Sequence, residues 1–225
     1  MRSNLRYLAT LVAVGAALVL APGASANDTI CVVSLTGFHD NVLVPEGATC
    51  EISNAQIKGN VKALPGSTLI VRGGTTVGGS IDSDKAENTQ IFGVGNLVRG
   101  NIQVKEGGNG VQGVSVCGVT MPDGNIQIEK MFGGVFVGGA GCAAFGGGNR
   151  LAKGAIKVEE NFVTAMFGLQ IGQNRVDQLQ VFKNSGPGAK TVTNNTVRQN
   201  LQCKKNQAPF VGTPNTARHR QGQCR

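Results

Sequence analysis

Aromatic side chains are what this sequence has least of. Tryptophan is absent, the single tyrosine is Tyr7, and nine phenylalanines complete the set in 225 residues. Grooves that grip sugar rings favour Trp and Tyr, which combine a flat apolar body with a polar edge, so a typical carbohydrate-binding module or lyase cleft is disfavoured. Histidine is almost as scarce. His39 and His219 are 180 positions apart, and with no Cys-x-x-C in the chain a zinc cluster is not expected. There is also no Gly-x-Ser-x-Gly nucleophile elbow and no Gly-Lys-Ser/Thr phosphate loop. No cofactor or metal is therefore expected.

Glycine, by contrast, is abundant: 34 of 225 residues, about twice the usual share. Each glycine inside a helix costs about 1 kcal/mol relative to alanine, which argues against a helical bundle. The hydrophobic share of 40% and the length suit one domain with a proper core.

The N-terminus reads as an export signal. Arg2 and Arg6 form a basic start, Leu8 to Ala21 is an apolar run, and Ala24-Ser25-Ala26 is a small-x-small cleavage site. Cleavage before Asn27 leaves residues 27–225 as a single secreted domain. An apolar run of 14 residues that ends at Pro22-Gly23 is short for a membrane span, which needs about 20. The uncharged stretch from Met131 to Asn149 has eight glycines and makes a poor helix, so it is read as a glycine-rich coil with an enlarged loop.

A short unit recurs along the chain. It is often Gly-Asn followed by apolar, polar, apolar, and its leading apolar residues are Val42, Val61, Ile81, Ile102, Ile126, Ile156, Leu179 and Leu201. Their intervals are 19, 20, 21, 24, 30, 23 and 22 residues. Apolar residues two apart share one face of a strand, while Gly and Asn tolerate the positive φ of a sharp corner. A second set of short strands is expected after these units at Leu69-Ile70-Val71, Gln90-Ile91-Phe92, Val114-Ser115-Val116, Val135-Phe136-Val137, Phe162-Val163-Thr164 and Thr191-Val192-Thr193. The phenylalanines lie in or beside these units and are expected to stack inward. One coil cannot bury its inward face alone, whereas stacked coils share a continuous core. The period predicts an all-β chain: a single parallel, right-handed β-helix of about eight coils. An antiparallel β-sandwich is the nearest rival.

Six cysteines, all beyond position 26, suit an oxidising, extracellular setting. Unaided, they allow 15 pairings. Cys31 and Cys50 are 19 residues apart, Cys117 and Cys142 are 25, and Cys203 and Cys224 are 21. Each interval is about one coil, and adjacent coils lie about 4.8 Å apart, within disulfide reach. Three sequential disulfides are predicted.

The run Asn195-Thr196-Val197-Arg198-Gln199-Asn200-Leu201-Gln202-Cys203, followed by Asn215-Thr216-Ala217 and Gly222-Gln223-Cys224, resembles the C-terminus of a group of small secreted actinobacterial proteins with a parallel β-helix. The Gly-x-x-x-Gly-Asn/Ser-Ile units also resemble the bactofilin rods. The first resemblance implies fold and export, the second rests on the generic coil repeat, and neither implies a reaction.

Charge is distributed unevenly. From 27 to 177 there are 11 Lys and Arg against 13 Asp and Glu, whereas 178–225 carries eight basic residues and no acid. Arg198, Lys204, Lys205, Arg218, Arg220 and Arg225 are the candidate contacts to an anionic cell-wall polymer or extracellular polysaccharide. Nucleic acid is a poorer fit, because only Phe210 could stack a base among them. The catalytic alternative is a polysaccharide lyase or hydrolase using Asp82, Asp84 and Glu87, of which Asp82 and Asp84 share a strand face and could hold Ca²⁺. The preferred expectation is a secreted, non-catalytic module with a structural or surface-binding role.

Overall fold

The computed structural model describes residues 27–109 and 111–225. The expected export signal, 1–26, lies outside the described residues. From Asp28 onward the chain winds as a three-sided parallel solenoid, each side a stack of strands contributed once per turn.

The first stack contains Asp28–Ile30, Asn41–Val44, Val61–Ala63, Ile81–Asp84, Ile102–Lys105, Ile126–Glu129 and Ala155–Glu159, followed by the later halves of Arg175–Phe182, Thr196–Lys204 and Thr216–Gly222. The second contains nine strands: Ser34–His39, Thr49–Ile57, Thr68–Val71, Asn88–Ile91, Gln112–Val116, Gly134–Gly138, Leu169–Gly172, Lys190–Thr193 and Phe210–Val211. The third side is narrow. Thr76–Val77, Leu97–Val98, Thr120–Met121 and Arg150–Leu151 are two-residue strands there, and the ends of longer strands that bend round a corner supply the other rungs. Every strand pair is parallel, which removes the sandwich alternative.

The repeat in the sequence is the first stack. Val42, Val61, Ile81, Ile102, Ile126, Ile156, Leu179 and Leu201 stand in register from turn to turn, and all are buried. The solenoid has about nine turns rather than eight, because the end strands hide their register. Thr29 pairs with Val42 and Arg220 with Leu201, so neither end shows an apolar residue where the repeat demands one.

A second buried row, Ile52, Val71, Ile91, Val116, Val137, Ile171 and Val192, faces it from the second stack. β-Branched and leucine side chains repeated on rungs about 4.8 Å apart interdigitate along the axis. Two polar residues enter this interior as a matched pair: Ser83 and Thr89 share a 2.7 Å hydroxyl hydrogen bond between the two stacks.

Two expectations are corrected. Phe162-Val163-Thr164 is not a rung of the second stack. Leu169–Gly172 takes that place in register with Val135 to Gly138, and Phe162 makes only single bridges to Phe132 and Ser185. Nor do the phenylalanines form an inward stack. Phe132 and Phe162 are 47% and 45% exposed and stack on each other outside, with centroids 5.7 Å apart. Phe92 and Phe136 pack around the Cys117–Cys142 bridge on the outer face of the second stack. The inward rows are filled chiefly by aliphatic side chains instead, and Phe210 is only partly buried against them.

The corners are held by columns of asparagine. On the exposed corner that precedes the first stack, Asn41 accepts from Asn60 N–H and Asn60 from Ser80 N–H; Asn101 accepts from Asn125 N–H and Asn125 from Ala155 N–H. Two further columns are buried: Asn149, Asn174, Asn195 and Asn215 between the second and third sides, and Asn161, Asn184 and Asn206 after the first stack, closed by Gln223. Each side chain bridges one turn to the next and satisfies backbone groups that a turn would otherwise leave unpaired.

The three disulfides are Cys31–Cys50, Cys117–Cys142 and Cys203–Cys224, with Cα separations of 5.5, 5.4 and 5.4 Å. The first and last tie terminal turns to their neighbours. The middle one anchors the enlarged loop, where a short 3-10 helix, Ala140–Phe145, follows the strand Gly134–Gly138. Among the described residues no helix is long and apolar enough to cross a membrane.

Candidate functional site

Outward-facing residues repeat from turn to turn as the inward ones do, so charge on this molecule is organised in columns. At the corner after the first stack, Lys85, Glu106, Lys130, Glu160, Lys183 and Lys205 all have left-handed φ between 53° and 58°. Their signs alternate up to Lys183. Glu106 lies 3.9 Å from Lys85 and 3.3 Å from Lys130, and Glu160 lies 2.8 Å from Lys183. The hydrogen bond and charge of Lys183 hold the Glu160 carboxyl below its ordinary range, and Glu160 in turn raises Lys183. Such exposed pairs stabilise little, but their order favours one register of turns. Lys205 ends the column with no acid to follow.

The candidate acids do not converge on one point. Asp82 and Asp84 project from the outer face of Ile81–Asp84, Asp82 half-buried and Asp84 exposed. Burial raises the Asp82 carboxyl, and the neighbouring Lys62 and Lys105 oppose that rise. Lys62 is its register partner on the preceding turn. Glu87 lies beyond the corner at Lys85, where it accepts a 2.6 Å hydrogen bond from Asn109 Nδ2. Among the described residues no group of three or more His, Cys, Asp or Glu could hold a metal ion.

The eight basic residues after Asp177 divide into two groups. Three are committed internally. Lys183 pairs with Glu160. Arg198 Nε lies 2.5 Å from Asp177 Oδ1, and its Nη2 donates to the carbonyls of Leu151 and Ala152. Lys190 is buried in the inward row between Leu169 and Phe210, and its Nζ donates to Gly186 O at 2.7 Å and Gly188 O at 2.9 Å. Burial lowers its basicity.

The other five, Lys204, Lys205, Arg218, Arg220 and Arg225, are exposed on or beside the final turn. Among the described residues none has a carboxylate partner within ion-pairing distance. Arg220 occupies the row of Leu201 at the open end of the core. Lys204 and Lys205 border a groove of about 390 Å³ with Glu159, Phe182, Lys183 and Gln202. Arg198, expected among the free cations, belongs to a different face.

His39 bonds within the first turns, its ring nitrogens lying 3.2 Å from Thr29 Oγ1 and 2.9 Å from Thr36 O. His219 is on the last strand, paired with Asn200. The solenoid keeps the two histidines at opposite ends.

Two groups escaped sequence reasoning. The buried asparagines carry a usable signal, since Asn161, Asn184 and Asn206 recur at 23 and 22 residues. Arg150 and Arg175 carry the other: they are register partners on the narrow third side, 25 residues apart. Compared with known families, curated sequences and solved structures, the chain matches none.

Proposed function

We propose that this protein is a secreted, non-catalytic β-helix that binds anionic polymers of the cell exterior through its C-terminal turn. The observation that carries this reading is the group of five exposed cations, Lys204, Lys205, Arg218, Arg220 and Arg225, without carboxylate partners among the described residues. Along the corner after the first stack, by contrast, lysines and glutamates alternate up to Lys183. A rigid disulfide-closed turn presents the positive charge without the ordering cost that a flexible basic tail carries on binding. Three disulfides with no free cysteine among the described residues are consistent with an oxidising, extracellular setting. The likeness of the terminus to small secreted actinobacterial proteins bears on export alone and carries no binding role.

The test is co-sedimentation of the oxidised protein with isolated anionic cell-wall polymer over a salt series. Binding is expected at low salt and should fall steeply as salt rises. Absence of binding at low salt would overturn the proposal.

A further inference from the structure

The outward row of the third side reads Thr120, Arg150, Arg175 and Thr196 on successive turns. Two arginines thus stand side by side on rungs about 4.8 Å apart. Like charges directly opposite each other destabilise a sheet, and the lysine-glutamate column shows the alternation that avoids it. No carboxylate among the described residues comes within ion-pairing distance of Arg150 or Arg175. The acid best placed to help, Asp177, is taken by Arg198.

Arg198 is itself fixed. It is bound at Nε to Asp177 and at Nη2 to the carbonyls of Leu151 and Ala152, 2.9 Å away in the case of Leu151. It therefore forms a rigid wall rather than a third free cation. Together with Pro122 and Ala152 the three arginines border a groove of about 450 Å³.

We propose that this groove is a binding site for a phosphate monoester, held between the guanidinium forks of Arg150 and Arg175. Each fork presents paired N–H donors to two oxygens. A carboxylate has two oxygens and one charge, enough for one fork. A phosphate monoester offers three terminal oxygens and close to two negative charges at neutral pH, which match two arginines. Thr120 and Thr196 put a hydroxyl on the rung at either side. The site is on a different side of the solenoid from the corner that carries Lys204 and Lys205, so it stands or falls independently of the polymer-binding reading.

The experiment is a titration of the oxidised, full protein with glucose 6-phosphate at low salt, read by the NMR signals of the arginine Nε–H groups. Methyl phosphate, inorganic sulfate and acetate are run in parallel. Saturable shifts confined to Arg150 and Arg175 are expected with both phosphate monoesters and with the sulfate dianion, at least tenfold weaker affinity for acetate, and, for the phosphate monoesters, weakening as pH falls below about 6, where the second phosphate proton returns. Arg150→Gln and Arg175→Gln should each reduce affinity at least tenfold, with an unchanged circular dichroism spectrum. A Lys204→Gln/Lys205→Gln variant should bind as the wild type does. Absence of saturation, equal response to acetate, or wild-type affinity in Arg175→Gln would overturn the assignment. Methyl phosphate binding as tightly as glucose 6-phosphate locates recognition in the phosphate alone; tighter binding of the sugar ester assigns the rest of the groove to the polyol. If the glutamine variants do not fold, a rise in wild-type melting temperature with methyl phosphate that acetate does not reproduce takes their place, and its absence also overturns the site.

Discussion

Asn184 Oδ1 accepts two hydrogen bonds from Asn161, one from its backbone N–H at 3.2 Å and one from its Nδ2 at 2.8 Å. Asn184 Nδ2 in turn donates to Val158 O and to Asn206 Oδ1. One buried side chain thus joins consecutive turns and closes a corner. Asn184→Leu would leave several buried polar groups unpaired, at about 1–3 kcal/mol for each, so a loss of at least about 3 kcal/mol is expected. Asn60→Ala, on the exposed column, should cost about 1 kcal/mol, because water can replace its contact. Urea unfolding of the two variants measures the contrast, and equal losses would contradict the structural role given to the buried columns.

The Cys203–Cys224 bridge closes a loop of 21 residues at the open end of the sheet. The loop-entropy estimate for such a crosslink is about 3 kcal/mol. In a stacked-repeat molecule this stability is local. Replacing both cysteines with serine should raise hydrogen exchange in Thr196–Lys204 and Thr216–Gly222 while leaving Val61 to Val104 protected. Uniform loss of protection along the rod would show that the turns unfold as one unit.

Lys190 gives the molecule a pH signature. Burial lowers its pKa from the ordinary 10.5, so the folded state sheds this proton before the unfolded chain does. In the window between the lowered folded value and 10.5 the unfolded state binds more protons, and stability rises with pH across it; below the folded value both states hold the proton and this contribution is flat. Subtracting the profile of Lys190→Met isolates this contribution from other lysines. Melting temperatures should show the wild type gaining on the variant toward alkaline pH. Below that range the variant loses the charged donor to Gly186 O and Gly188 O, a cost of about 1–3 kcal/mol. Parallel profiles would contradict the buried placement.

Glu160 tests the charge column. Its carboxyl is held low by the hydrogen bond and charge of Lys183, so the associated stabilisation is present above the unfolded carboxylate range and is lost as pH falls through the folded value. In Lys183→Met the Glu160 pKa should move up toward the ordinary value. NMR titration of the side-chain carbonyl reads this directly, and an unmoved pKa would remove the pairing.

The fold was legible because its inward rows are written in one residue class. Val42 through Leu201 repeat at nearly constant intervals, and the cysteine intervals share that period. The third side was not legible, since Thr76–Val77 or Arg150–Leu151 is too short to display alternation. Phe162-Val163-Thr164 misled for a related reason: β-propensity identified the triplet, but the longer loop of that turn placed Leu169–Gly172 on the rung. The charge excess after Asp177 was visible, yet its division was not. Lys190 turns inward, and Arg198 is drawn to Asp177 and to carbonyls 46 and 47 residues away. Only stacking reveals such partners, because each lies one or more turns off.

The five cations of the last turn without carboxylate partners among the described residues are the proposed contacts to anionic polymer. The direct measurement compares the low-salt affinity of the oxidised wild type for isolated anionic cell-wall polymer with that of a variant carrying Gln at 204, 205, 218, 220 and 225. The variant is expected to fold normally and to lose most of the affinity and most of its salt dependence. A variant that binds with wild-type affinity and salt dependence would contradict the proposal.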